Sequence, residues 1–145
     1  MCQVVSRDFK VVAIKHQGRF EDYAVLVPQA AQQFLKRMPD FSGTEVSVYE
    51  PKMGETHIEG IYYVGILVEE KPESLPEEME FLEIQQTYGM ITGKGNELGR
   101  LYSTIDEWID KQGHKRELAG SYIIETYHPV ENDLEMVEIF IPIHA

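Results

Sequence analysis

The sequence predicts an α+β domain built from two βαββ modules, an antiparallel eight-strand, two-helix arrangement with a ligand groove between its halves. Gly18 and Gly95, 77 residues apart, each follow a strand-like run and precede a helix-like one. Tyr49-Glu50-Pro51 and Tyr127-His128-Pro129, 78 residues apart, each close a β-rich run. Between these markers the apolar residues switch between the two-residue spacing of strands and the roughly 3.6-residue spacing of helices. The 145 residues read as one domain, with half-repeats at 7–69 and 79–145 and a linker at 70–78.

Phe9–Lys15 (FKVVAIK), rich in β-branched residues, is the first expected strand, and Gly18 supplies the turn after it. Val27, Ala30, Ala31, Phe34, Leu35 and Met38 then recur at helical spacing, with Pro28 expected in the first turn, where a missing N–H costs nothing. Glu45–Glu50 (EVSVYE) and Ile61–Val68 (IYYVGILV) follow as strands joined by a polar loop holding Gly54 and Gly60. In Glu69–Glu78, Pro72, Pro76 and crowded acids argue against regular structure. Glu80–Ile91 is the next strand, with a break expected near Gly89, and Thr92–Asn96 is a glycine turn whose Asn96 is expected to cap a helix. That helix presents Leu98, Leu101, Tyr102, Ile105, Trp108 and Ile109 as one apolar stripe and ends near Gly113. Ser121–Tyr127 and Glu135–Ile143 complete the second module, separated by a polar turn at Glu131-Asn132-Asp133.

Thirteen Lys and Arg stand against 25 Asp and Glu, a formal net charge of −12. Such a surplus repels phosphate backbones and anionic headgroups, so neither direct nucleic-acid binding nor a membrane partner is expected, and a charged small ligand is expected to be a cation. A content of 43% apolar residues against 26% charged is that of a folded globule. The single cysteine, Cys2, excludes an internal disulfide and a Cys-based zinc site and is expected to fray. Arg7, Asp8 and Lys10 interrupt what would be the apolar stretch of a signal peptide, which points to a cytoplasmic protein. His16, His57, His114, His128 and His144 lack ligand spacing, so no metal and no cofactor is assigned. Gly93-Lys94-Gly95 lacks the spacing of a phosphate loop.

Glu125 is the carboxylate of most interest, because it interrupts an otherwise apolar, aromatic or small strand, SYIIETY. On a half-buried sheet surface it must gain donors or a cation, or be protonated; the alternative is that it points at solvent. Ile123 and Tyr127 share its face by two-residue alternation, the surroundings expected of a receptor for an amphipathic cation. On the next strand Glu138 and Phe140 repeat the acid and aromatic arrangement, and the two strands side by side would build one patch. Among the remaining aromatics, Tyr102 and Trp108 read first as packing residues of the helical stripe, and Tyr88 is kept as a candidate wall. Half-exposed aromatics would serve a homodimer contact equally well.

Together, the duplicated βαββ order, the glycine turn before each helix, Trp108-Ile109, Glu125-Thr126-Tyr127 and the terminal Ile141-Pro142-Ile143 resemble the GyrI-like family, the effector-binding domains of AraC- and MerR-type multidrug regulators. The resemblance covers nearly the whole chain. It implies a groove between the halves, a buried glutamate, here Glu125, that pairs with lipophilic aromatic cations, and aromatics that stack on them. By position it also implies Glu138 and Phe140 on the last strand and Tyr102 or Trp108 on the second helix. Because the first expected strand lies within about ten residues of Met1, a stand-alone version without the regulators' DNA-binding region is expected. Stand-alone versions resemble drug-binding proteins, gyrase inhibitors that engage a DNA-handling protein or act beside a separate regulator, and hydrolases of reactive compounds. In the hydrolase case Glu125 would be the general base.

Overall fold

The computed structural model describes residues 2–37, 43–118, 120–129 and 135–144. The strands are β1 (Cys2–Arg19), β2 (Glu45–Tyr49), β3 (Glu59–Leu67), β4 (Met79–Lys94), β5 (Ile123–Pro129) and β6 (Glu135–Pro142). The helices are α1 (Tyr23–Arg37) and α2 (Leu98–Lys111), each entered through one 3-10 turn, Phe20–Asp22 and Gly95–Glu97. The order strand, turn, helix, strand, strand thus occurs twice. Each unit supplies three strands, so the described residues hold six rather than the expected eight.

All six pair antiparallel and close into a barrel in the order β1-β3-β2-β5-β6-β4. The long β1 makes closure possible: Val11–Arg19 pair with β3 while Cys2–Ile14 pair with β4. That pairing explains why the strand starts at Cys2 rather than Phe9. Ser6-Arg7-Asp8 have poor strand propensity but lie opposite Thr87, Gln86 and Gln85, so ladder partners override local preference, and Cys2 is tied to Ile91 instead of fraying. β4 does not break at Gly89, which pairs with Val4 on one side and Ile141 on the other. β5 begins at Ile123, not Ser121, because the Gln86 side chain captures the backbone N–H and C=O of Tyr122 at 3.1 and 3.2 Å.

Alternation divides the core into layers. Inward-facing Phe9, Val11, Ala13, Val48, Tyr63, Tyr88, Ile124 and Phe140 fill the barrel, with Phe9 edge-on to Phe140 at 5.0 Å. On the outside, α1 buries Val27, Ala30 and Phe34 against Val12, Tyr62, Val64 and Ile66. α2 buries Leu101, Ile105 and Ile109 against Ile91, Val137, Ile139 and Ile141. Two glycines let the helices sit close: a Cβ on Gly18 would lie 2.6 Å from Leu26 Cδ1, and one on Gly93 would overlap the Leu101 side chain. Because α1 starts at Tyr23, Pro28 lies in its second turn rather than its first, and Leu35 turns outward at 42% exposure instead of joining the stripe. α2 starts at Leu98 without a side-chain cap, so Asn96 does not play that role. Met38 and the turn at 131–133 lie outside the described residues. Among these, no helix is long and apolar enough to cross a membrane.

Candidate functional site

α1 covers the outside of β1 and β3, and α2 that of β4 and β6, leaving the outer face of β2 and β5 as a strip between them. Register decides what this strip presents. Ser47 lies opposite Glu125, Glu45 opposite Tyr127, and Tyr49 opposite Ile123. All six side chains line a cavity of about 680 Å³ walled by Tyr23, Val27 and Phe34 on one flank and Leu98 and Tyr102 on the other.

Glu125 forms the floor and is 5% exposed. Its Oε1 accepts hydrogen bonds from Tyr49 Oη at 2.9 Å and Tyr127 Oη at 2.5 Å, and its Oε2 accepts one from Tyr102 Oη. Tyr127 Oη also lies 3.0 Å from Ser47 Oγ and 3.4 Å from Tyr49 Oη. A carboxylate taken out of water costs several kcal/mol unless donors replace its hydration, and three phenols do so here. In return the phenols are held protonated. Burial, and then the neighbouring negative charge, pushes Tyr49 and Tyr102 well above the ordinary phenol range; burial also leads for Tyr127, followed by Tyr49 and Glu125.

The donors are neutral, so the charge remains. Among the described residues Glu125 makes no ion pair. The cavity wall carries four carboxylates, Glu45, Glu50, Glu125 and Glu135, against Lys52 and Arg116. Arg116 reaches Asp106 at 3.5 Å, and Glu50 is engaged by His57 at 3.0 Å and by the Ile61 N–H. Glu45 is shifted upward by burial and by Glu135. Beyond the floor, Tyr23 stacks on Tyr49 with centroids 5.7 Å apart and packs against Phe20, giving one flank an aromatic wall. The Tyr23 phenol is pushed up to about 12 by burial, then by Glu50 and Tyr62.

Of the residues singled out from sequence, Glu125, Tyr127 and Tyr102 come together in this cavity. Glu138 and Phe140 do not. In β6 they lie opposite Thr126 and Ile124, one residue out of step with Glu125, and so point to the other side of the sheet. Phe140 and Tyr88 are core side chains inside the barrel, 5.5 Å apart. Glu138 binds Thr126 Oγ1 at 3.0 Å and His128 Nε2 at 2.8 Å. Trp108 projects from a different side of α2 than Tyr102 and packs beside His114. Tyr49 and Ser47 belong to the site although sequence reasoning did not place them there. The signal was present: the offset that relates Tyr49 to Tyr127 also relates Ser47 to Glu125. Among the described residues no cluster of metal-binding side chains occurs.

Residues 4–143 match the family described as integron-associated effector binding protein. No curated protein matches the sequence. The fold is similar to that of SAV2435 solved with tetraphenylphosphonium, at TM-score 0.71 and 11% identity over 100% of this chain and 94% of that one. It is similar to an integron cassette protein from the mobile metagenome of Vibrio cholerae, at 0.71 and 14% over 99% and 95%. The C-terminal domain of EcmrR gives 0.64 and 16% over 99% and 98%. At these identities the likeness is one of fold.

Proposed function

Because the chain belongs to the integron-associated effector binding proteins, a GyrI-like family, we propose that it captures lipophilic aromatic organic cations, with Glu125 as counter-ion on the cavity floor. One observation carries the reading: a 5% exposed carboxylate, hydrogen-bonded by three neutral phenols and without an ion pair among the described residues, faces an apolar cavity. Its volume of about 680 Å³ suits a drug-sized molecule. A positive charge brought there meets an acid already largely withdrawn from water, and ring faces such as Tyr49 add about 0.5 to 2 kcal/mol per good cation–π contact. The tetraphenylphosphonium held by SAV2435 is a ligand of this chemical class.

The same hydrogen bonds suit a standing counter-ion: three of roughly four acceptor positions on Glu125 are committed to phenols, and a general base would have to take the proton of water at the single position left. The test is a fluorescence titration with tetraphenylphosphonium and a planar cationic dye against the wild type and Glu125→Gln. Removing the charge while keeping the shape should weaken binding by about 2 to 5 kcal/mol. Equal affinity in the two proteins would falsify the counter-ion role.

A further inference from the structure

The tyrosine cage consumes most of the acceptor capacity of Glu125, and this restricts which cations the acid can serve. An ionised carboxylate offers about four acceptor positions. Both on Oε1 are taken, by Tyr49 and Tyr127, and one on Oε2 by Tyr102. The phenol oxygens are acceptors too, but neutral ones, weaker than the carboxylate, and Tyr127 Oη is already occupied within the cage, 3.0 Å from Ser47 Oγ. What remains for a charge seated against Glu125 is one acceptor position on the Oε2 side; of the other wall carboxylates, Glu50 is engaged by His57 and the Ile61 N–H, and Glu45 and Glu135 lie further along the strip, opposite Tyr127 and Pro129. Burial keeps all three phenols protonated, so they do not become acceptors by ionising near neutral pH.

We infer that the site selects cations by counting their donors, preferring quaternary and tertiary onium ions to primary ammonium and guanidinium ions of the same size. This rests on the reading of Glu125 as a counter-ion. A primary ammonium brings three N–H groups and a guanidinium five, and each left without an acceptor when the head group is seated against the caged Glu125 loses its hydration uncompensated. A quaternary centre has no donor to satisfy and needs only the charge and the ring faces.

The experiment is calorimetric titration with four compounds sharing one naphthylmethyl body and carrying trimethylammonium, dimethylammonium, primary ammonium or guanidinium heads. Added methyl groups themselves favour an apolar cavity, so the diagnostic quantity is how the quaternary-to-primary affinity ratio changes between proteins. In the wild type the trimethylammonium compound should bind at least about thirtyfold more tightly than the primary one. Tyr49→Phe frees a position on Oε1 and should cut that ratio by about tenfold, chiefly by improving the primary ammonium. Tyr102→Phe frees Oε2 independently and should act in the same direction, with each variant's folding checked by thermal unfolding. A ratio unchanged in both variants, or a primary ammonium bound as well as its quaternary analogue, overturns donor counting while leaving the counter-ion reading intact. Failure of all four compounds to bind overturns both.

Discussion

At the scale of single residues, the site is an exchange between one acid and three phenols. Glu125 keeps its charge out of water because Tyr49, Tyr102 and Tyr127 donate to it, and they keep their protons because burial and that charge oppose a second anion. The linkage has a definite sign. A phenol whose folded value stands above its unfolded value of about 10 binds its proton more tightly when folded, so its contribution is complete below about pH 10 and lost as pH rises through the folded value. Tyr23 and Tyr63, each pushed up to about 12, act in the same direction. Urea unfolding midpoints should therefore be level from about pH 8 to about pH 9.5 and fall steadily above about pH 10. Tyrosinate absorbance rising at the ordinary pH with no loss of stability would contradict the cage. Glu125 was legible in sequence because it is the acid inside SYIIETY, and alternation along that strand placed Ile123 and Tyr127 beside it. Glu138 and Phe140 were misplaced for an equally simple reason. Alternation assigns faces within a strand, whereas the stagger between β5 and β6 is set by tertiary pairing, and one residue of stagger moves a side chain across the sheet.

At the scale of elements, close approach of backbone to backbone matters more than propensity. Gly65 in β3 is the sharpest case, since a Cβ there would overlap the Val12 carbonyl oxygen and Ala13 on the adjacent β1. At Gly93 the obstacle is the end of the Leu101 side chain, which can rotate away. Gly65→Ala should thus cost about 3 kcal/mol or more, and Gly93→Ala about 1 kcal/mol, in urea unfolding at neutral pH. Comparable losses at the two sites would mean that the strand contact is looser than described. The helices were legible from their stripes, above all Leu101, Ile105 and Ile109 of α2. Their starts were not, because Phe20–Asp22 and Gly95–Glu97 begin helical winding through backbone turns for which neither Pro28 nor Asn96 is the signal.

At the scale of the whole molecule, β1 with β4 and β2 with β5 stitch the two halves along both seams, and among the described residues no strand is left with an open edge. Six runs of strand-like sequence were readable one by one, yet their closure was not. The pairs that close the ring join residues such as Ser47 and Glu125, far apart in the chain, and no local pattern encodes that meeting. The molecule also carries its charge of −12 around an acidic cavity. Association of a cationic aromatic ligand should therefore slow several-fold between about 0.02 and 0.3 M salt, while an uncharged analogue shows no such trend. Stopped-flow fluorescence measures both, and parallel salt curves would deny long-range steering.

Ser47 faces Glu125 across the seam from the equivalent place in the other half of the chain. The frame therefore holds two sockets for a buried group, one loaded with an anion and the other with a hydroxyl. Exchanging them, Ser47→Glu with Glu125→Ser, would shift the negative centre by one strand and bring it under the aromatic flank of Tyr23 and Phe20. Ligand preference in such a scaffold can drift by trading two side chains, with the barrel itself untouched.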